Sequence, residues 1–216
     1  MNKNPSQNQI NILLKDYKSG NFKEFEKHAF FLTKDFPNSS YCWKALSIAL
    51  KLNGKISKAL SANKKSLEIN PNDPEAHYNL ANTMKELNNS LESVKSYKKA
   101  ISLNPNYAEA YNNLGVALKE LGKLKESEDN YKKAISLNPN YAEAYNNLGV
   151  ALKELGKLKE SEDNYKKAIS LNPNYAEAYY NLGITKRNLG KLNEAITANK
   201  NAIKINQNYI EAYNNL

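Results

Sequence analysis

The chain has 216 residues, of which 41% are hydrophobic and 25% charged, a balance typical of a soluble folded protein. It has no apolar leader, no run long enough to cross a membrane, and a single cysteine, Cys42, so we expect a cytoplasmic protein without an internal disulfide. The net charge of +9 is concentrated in residues 1–73, which hold 12 lysines and 6 acidic residues; with one arginine and no continuous basic stripe, neither nucleic acid nor a membrane is an expected partner.

Residues 1–39 form the least regular stretch of the chain. Apolar residues from Ile10 to Leu14 predict a first helix, and Gly20 and Pro37 mark the ends of two helices. Five phenylalanines cluster in the second half: Phe22, Phe25, Phe30, Phe31 and Phe36. We predict a divergent terminal unit that closes one end of the core. The alternative is that the phenylalanine cluster is a docking patch.

Two more regular units follow, at residues 40–73 and 74–107. In residues 40–73, apolar residues recur at spacings of 3 and 4 from Trp43 onward, which predicts a helix with one apolar face. In residues 74–107, His77 stands at the position of Trp43, which predicts a packed ring rather than a metal ligand. Asn88 stands where glycine ends the first helix of other units, and asparagine tolerates a positive φ better than most residues.

The next stretch, Tyr107–Asn140, is followed by a letter-for-letter copy of itself at Tyr141–Asn174. A period of 34 residues without drift is the signature of a tandem-repeat protein. Each block has two runs of apolar residues at helical spacing; Gly122 ends the first run and Pro139 the second. Each block therefore predicts two antiparallel helices, whose apolar stripes are buried only when neighbouring blocks stack.

Five regular repeats are predicted in all, at 40–73, 74–107, 108–141, 142–175 and 176–209. Residues 210–216 then begin a further first helix that stops at Leu216. A helix that ends in mid-pattern predicts that the natural chain continues beyond this residue.

The recurring residues resemble those of the tetratricopeptide repeat (TPR) family. In the first identical block they are Tyr111, Leu114, Gly115, Leu118, Gly122, Ser127, Tyr131, Ala134 and Pro139. The resemblance covers nearly the whole chain and implies an all-α fold, a right-handed superhelical α-solenoid of helix-turn-helix repeats. It also implies a non-catalytic scaffold, with a concave groove lined by the first helix of each repeat and occupied by a protein or peptide.

The predicted groove positions include a column of asparagines one repeat apart: Asn79, Asn113, Asn147, Asn181 and Asn215. A carboxamide both donates and accepts hydrogen bonds, so the column predicts binding to the backbone of an extended peptide, with weak regard for its sequence. It resembles the asparagine ladder in the TPR region of protein O-linked N-acetylglucosamine transferases. Further residues on the same helices complete the candidate site: Asn112, Asn146, Lys119 and Lys153. The alternative is that these asparagines only solvate the groove or cap contacts between helices.

No catalytic, metal or cofactor site is predicted. The two histidines, His28 and His77, lie on different helices, and the chain has no phosphate-binding loop or nucleophile elbow. The dipole at a helix start accounts for acidic residues such as Glu128, and a solvated outer face accounts for Lys132 and its copies.

A second hypothesis makes the chain the substrate-recruiting arm of a larger enzyme, of glycosyltransferase or sulfotransferase type, whose C-terminal catalytic domain lies beyond residue 216. Sequencing past that residue would distinguish this arm from a free-standing scaffold. The carboxylate clamp of chaperone adaptors is not indicated, because Tyr78 and Asn112 stand where its first lysine would be.

Overall fold

The structure is a computed structural model that describes residues 4–216. Residues 1–3, which belong both to the predicted terminal unit and to the stretch that was checked for an apolar leader, lie outside the described residues. The described chain consists of thirteen helices: α1 (Gln7–Lys18), α2 (Phe22–Asp35), α3 (Ser40–Leu52), α4 (Ile56–Ile69), α5 (Pro74–Glu86), α6 (Ser90–Leu103), α7 (Ala108–Glu120), α8 (Leu124–Leu137), α9 (Ala142–Glu154), α10 (Leu158–Leu171), α11 (Ala176–Asn188), α12 (Leu192–Ile205) and α13 (Ile210–Tyr213). The helices from α1 to α12 form six packed pairs in tandem, so the predicted all-α repeat architecture is confirmed.

The chain divides into two compact units, Met1–Pro105 and Asn106–Leu216. Each unit contains three complete helix pairs, and the second unit also contains α13. The two identical blocks of sequence therefore fold within the second unit.

The turn inside each helix pair requires a left-handed backbone residue. Gly122 has a φ of 73° at this turn, and Asn88, at the same register in the third pair, has a φ of 56°. Glycine adopts this conformation at little cost, and asparagine is among the few other residues that do so readily. The assignment of Asn88 as a substitute for the turn glycine is confirmed.

The core of the second unit is built from small residues opposite large ones. Gly115 of α7 lies so close to the fully buried ring of Tyr131 that a Cβ atom at position 115 would come within 2.6 Å of the ring. The hydroxyl of Ser127 donates to the carbonyl oxygen of Gly115 at 2.7 Å, which joins the two helices of the pair. Gly149, Tyr165 and Ser161 repeat this arrangement in the second identical block.

In the first helix pair of the first unit, α1 and α2, the same register is filled the other way round. Leu13 occupies the position of Gly115, and Ala29 occupies the position of Tyr131. Both residues are buried, and Cys42 packs against the same core with no exposed surface. The phenylalanines behave differently from one another: Phe25 is buried, whereas Phe30 and Phe31 are 47% and 55% exposed. Only part of the phenylalanine cluster therefore contributes to the core.

A buried glutamate joins successive helix pairs of the second unit. The carboxylate of Glu128, on α8, contacts Lys132 at 2.6 Å and Lys125 at 3.1 Å on its own helix, and Lys157 of the next pair at 3.0 Å. The corresponding Glu162 contacts Lys191 of the pair that follows it at 2.8 Å. Lys132 is exposed, as predicted, but the sequence-based interpretation of Glu128 as a residue placed only by the helix dipole missed its burial and its ion pairs. It failed because the contact between pairs is visible only once successive repeats are stacked.

Candidate peptide-binding face

The predicted site residues of the second unit lie on the first helices of three successive pairs, α7, α9 and α11, which pack side by side. We call the surface that these three helices form the first-helix face. The asparagines stand at one register along it because each helix repeats the same spacing from its start. The Nδ2 of Asn147 donates to Oδ1 of Asn112 at 3.0 Å, and the Nδ2 of Asn181 donates to Oδ1 of Asn146 at 3.1 Å. The asparagines therefore form a hydrogen-bonded ladder from one helix to the next.

Two of the predicted contact residues, Asn112 and Asn146, are fully buried. The Nδ2 of Asn112 donates to Glu143 on the next first helix, and the Nδ2 of Asn146 donates to Glu177 in the same way, both at 3.2 Å. The neighbouring helix covers these amides, which the period of a single helix could not reveal. The expectation that they face an open groove is thus corrected: they support the face from within.

The other members of the column differ in exposure. Asn113 and Asn147 are half-buried, whereas Asn181 is buried, with 7% of its surface exposed. Asn215 follows the short helix α13, where its Oδ1 accepts from Arg187 at 2.8 Å and its Nδ2 donates to the carbonyl oxygen of Glu211 at 3.1 Å. The exposed part of the ladder in this unit is therefore centred on Asn113 and Asn147.

The first unit contains one member of the column, the half-buried Asn79. Lys44 stands at the register of Asn112, and its Nζ donates to Asp73 at 3.0 Å and to Glu75 at 2.6 Å. The Lys44–Glu75 contact spans the same number of residues as the Asn112–Glu143 contact. An interaction between a first-helix residue and a glutamate near the start of the next first helix thus occurs in both units, with different chemistry.

Sequence reasoning did not identify an apolar pocket of about 320 Å³ in the first unit. Its lining includes the apolar and aromatic side chains of Leu14, Tyr17, Tyr41 and Ile48 and the charged Lys44. A signal was present in the sequence, because Tyr17 stands at the register where Lys119 and Lys153 stand in the identical repeats.

The predicted lysines lie near the C-terminal ends of α7 and α9, and they are half-buried. The Nζ of Lys119 lies 3.7 Å from the carboxylate of Glu154. Burial lowers the pKa of Lys153, and the positive charge of Lys119 acts in the same direction, while Glu154 opposes both.

Within residues 4–216 no group of His, Cys, Asp and Glu side chains could hold a metal ion. His77 instead places its ring nitrogen Nε2 2.9 Å from the carbonyl oxygen of Pro71, and Trp43, at the same register one repeat earlier, donates to that of Pro37 at 2.8 Å. In the same described range, none of the helices combines the length and the apolar character that crossing a bilayer requires.

Models of one sequence family match most of the chain. Those described as "TPR repeat" match residues 85–122 and 117–156, and those described as "Tetratricopeptide repeat" match residues 62–95, 142–175 and 164–197. Together these matches run without a gap from residue 62 to residue 197, which is more than half of the chain.

Several solved structures share the fold. MamA is 27% identical over 80% of this chain and 94% of its own, with a TM-score of 0.69. YrrB, described as a TPR protein with an unusual peptide-binding site, is 22% identical over 86% of this chain and 96% of its own, also with a TM-score of 0.69. PilW, described as a type IV pilus biogenesis factor, is 18% identical over 97% and 99%, with a TM-score of 0.87. No curated protein sequence matches the chain.

Proposed function

Since the chain belongs to the tetratricopeptide repeat family, we propose that it is a non-catalytic scaffold that binds an extended segment of a partner protein along its first helices. Asn113 and Asn147 provide the main contacts to the peptide backbone in the second unit, Asn181 adds one through the small part of its surface that is exposed, and Asn79 provides the equivalent contact in the first unit. The resemblance of this column to the ladder of the glycosyltransferases remains a prediction.

The fixed orientation and partial exposure of the Asn147 side chain are the observation that carries the proposal. Its bond to Asn112 holds the carboxamide in one orientation, while the residue remains half-exposed. The second N–H group and Oδ1 of this amide are then available to a partner. An amide oriented in advance loses less conformational freedom on binding, which favours affinity. Asn112 and Asn146 are positioning residues in this proposal, because they are buried and hold their neighbours in place.

The similar structures support a protein-binding role in a general way. YrrB shows that this fold can carry a peptide-binding site, although its 22% identity transfers the fold alone. The residues that would contact the peptide in the present chain must therefore be tested directly.

The test is a triple substitution, Asn113→Ala, Asn147→Ala and Asn181→Ala. Peptides are first selected on the wild-type chain from a displayed random twelve-residue library, and their affinities are then measured by fluorescence anisotropy. Each lost amide should remove about 0.5–1.5 kcal/mol of hydrogen bonding, so the triple variant should bind roughly tenfold to a thousandfold more weakly. The loss should be similar for peptides of different sequence, because the ladder recognises the backbone.

The matched control is the double substitution Asn130→Ala and Asn164→Ala. These amides lie on the second helices α8 and α10 and donate to carbonyl oxygens of their own helices, those of Glu126 and Glu160, both at 2.8 Å. The control removes the same chemical group and should leave peptide affinity within about twofold. Wild-type affinity in a folded triple variant would show that the ladder has only a structural role and would overturn the proposal.

A further inference from the structure

The two identical helices α7 and α9 differ in what lies beside their lysines. Lys119 faces Glu154, which the next first helix supplies at 3.7 Å. One repeat later, the residue at the register of Glu154 is Asn188. Lys153 accordingly forms no ion pair with any residue of the described chain from 4 to 216, although its own helix has the same sequence as that of Lys119.

A second cation lies at the register of Lys119 and Lys153, one repeat further along the first-helix face. Arg187 stands at the register of Lys153 on α11, is exposed, and forms no ion pair in the part of the chain that the structure describes. Its Nη1 donates to Oδ1 of Asn215, a member of the asparagine column, so the guanidinium lies on the same side as the ladder. The last two of these positions in the second unit, Lys153 and Arg187, therefore carry positive charges with no carboxylate of the described residues within ion-pair distance.

The helices α9 and α11 carry a glutamate near the start and a cation near the end, and in α9 the cation is followed by Glu154. Glu143 and Glu177 lie at the starts of α9 and α11, whereas Lys153 and Arg187 lie near their ends. Ten residues separate the charges on each helix, which corresponds to about 15 Å along the axis. A polyproline-like peptide that follows the ladder would run between the glutamates and the cations, and every third side chain would point toward the cations.

Lys153 has lost part of its hydration without gaining an ion-pair partner among the described residues. Its burial lowers the pKa of the ammonium group; the charge of Glu154, which forms no ion pair with it, opposes this, and the charge of Lys119 adds to it. A carboxylate brought by a ligand would compensate for this, because a hydrogen bond between two charged groups is stronger than one between neutral groups. The exposed guanidinium of Arg187 can bind a second carboxylate through two parallel hydrogen bonds, in bidentate geometry.

We propose that Lys153 and Arg187 form a subsite for acidic side chains of the bound peptide, so that the first-helix face selects segments rich in Asp and Glu on one side. This inference rests on the proposed function and adds a side-chain preference to it. Neighbouring packed helices lie roughly 8–10 Å apart, and an extended polyproline-like chain advances about 3.1 Å per residue. Acidic residues spaced three apart therefore match the spacing of Lys153 and Arg187.

The test uses four capped twelve-residue peptides of defined sequence. Three repeat Ser-Ser-Asp, Ser-Ser-Asn or Ser-Ser-Lys four times, and the fourth has the composition of the Asp peptide with its four aspartates adjacent. Affinities are measured by fluorescence anisotropy at 0.15 M salt. The Asp peptide should bind the wild-type chain about tenfold more tightly than the Asn peptide, which corresponds to one well-formed charged hydrogen bond. The clustered peptide should show less than half of this preference, because its charges miss the spacing.

Three variants test the site rather than the net charge. Lys153→Met should reduce the preference for the Asp peptide to below about threefold. Asn188→Glu should do the same by supplying the carboxylate that Glu154 supplies to Lys119, whereas Asn188→Gln should not. Lys167→Met removes an equal charge from the exposed face of α10 and should keep the full preference.

The outcomes separate this inference from the proposed function. Binding of the Asn peptide without any preference for the Asp peptide, or a preference that survives both Lys153→Met and Asn188→Glu, would overturn the acidic subsite and leave the ladder intact. Absence of binding by all four peptides would overturn both. A preference lost equally in Lys167→Met would show a general effect of the positive net charge and would also overturn the subsite.

Discussion

Glu128 and Glu162 are carboxylates without exposed surface or nearly so, and each is surrounded by three lysines. Burial by itself would raise the pKa of Glu128, but hydrogen bonds from Lys132, Lys157 and Lys125 outweigh it and lower the pKa to about 2. The pKa of Glu162 is lowered to about 2 for the same reason. Because the folded-state values lie below the ordinary value of 4.5, ionised Glu128 and Glu162 stabilise the fold above that pH. This stability is lost as the pH falls from about 4.5 to about 2.

The double variant Glu128→Gln and Glu162→Gln should therefore lose stability at neutral pH and little at acidic pH. We expect a loss of roughly 2 kcal/mol or more at pH 7, since removing one partner of a buried ion pair leaves the other charges uncompensated. The difference from the wild type should disappear near pH 2. Urea unfolding followed by circular dichroism at pH 7, 5, 3 and 2 measures both curves.

Glu126→Gln provides the control for this prediction. Glu126 lies two residues from Glu128 but is exposed, and its contact with Lys123 is 3.5 Å long. Exposed pairs of this kind contribute less than about 1 kcal/mol, so this variant should follow the wild-type curve at every pH. A stability difference between the double variant and the wild type that is the same at pH 7 and pH 2 would contradict the assignment of the ion pairs.

The residue scale is also where sequence reasoning was least successful. The register of Asn112 followed from the 34-residue period, but its burial did not, because the covering residue Glu143 belongs to the next helix. The ion pairs of Glu128 were missed for the same reason, since Lys157 lies 29 residues further along the chain. A helical spacing predicts which residues share one helix face, and it carries no information on what the neighbouring repeat brings to that face.

At the scale of the element, each helix pair depends on its turn residue. A Cβ atom added at Gly122 would meet no atom within 4 Å, so the positive φ is the only obstacle to substitution there. At Gly115, by contrast, a Cβ would collide with the Tyr131 ring. The two glycines of one helix pair are therefore required for different reasons, one for its backbone conformation and one for close packing.

The turn yields a paired prediction with opposite signs. Gly122→Ala should destabilise the chain by about 1 kcal/mol, because an L-residue must adopt the left-handed conformation. Asn88→Gly should stabilise it by up to about 1 kcal/mol, because the same conformation is then available without strain. Denaturant midpoints at constant m-value measure both changes. Destabilisation by Asn88→Gly would show that the asparagine side chain stabilises the turn by interactions that outweigh the backbone preference.

At the scale of the whole molecule, the repeat pattern was sufficient to predict the helix pairs. Glycine or Asn88 forms the turn after the first helix, and the pairs from α3 to α12 begin 34 residues apart, at Ser40, Pro74, Ala108, Ala142 and Ala176. The apolar pocket beside Leu14 and Tyr17 was not predicted, since it depends on side chains of the least regular unit meeting those of the next. Sequence periodicity thus determines the repeated part of the structure, and the departures from it have to be read from the packing.

The identical blocks allow one repeat to be removed without creating a new interface. Deletion of Tyr141–Asn174 joins Asn140 to Tyr175, which is the same junction that the chain already makes between Asn174 and Tyr175. Glu128 would then take the place of Glu162 opposite Lys191, a contact of 2.8 Å in the full chain. Asn112 would likewise take the place of Asn146 between Asn181 and Glu177. The new interface therefore repeats the one that the deleted block makes with the pair after it, while contacts to deleted residues, such as that of Lys119 with Glu154, are lost.

We expect the shortened chain to fold, since in a repeat protein each repeat contacts only its neighbours and stability is the sum of repeat and interface terms. The helical circular dichroism signal should fall in proportion to the 34 residues removed, and unfolding should remain cooperative at a lower denaturant midpoint. The control deletes Tyr141–Lys157 alone, which removes a first helix and leaves a second helix without its partner, so it should disrupt the second unit. Loss of helical signal well beyond one repeat's share in the full-block deletion would show that stability depends on contacts outside neighbouring repeats, and the additive description of this chain would then be wrong.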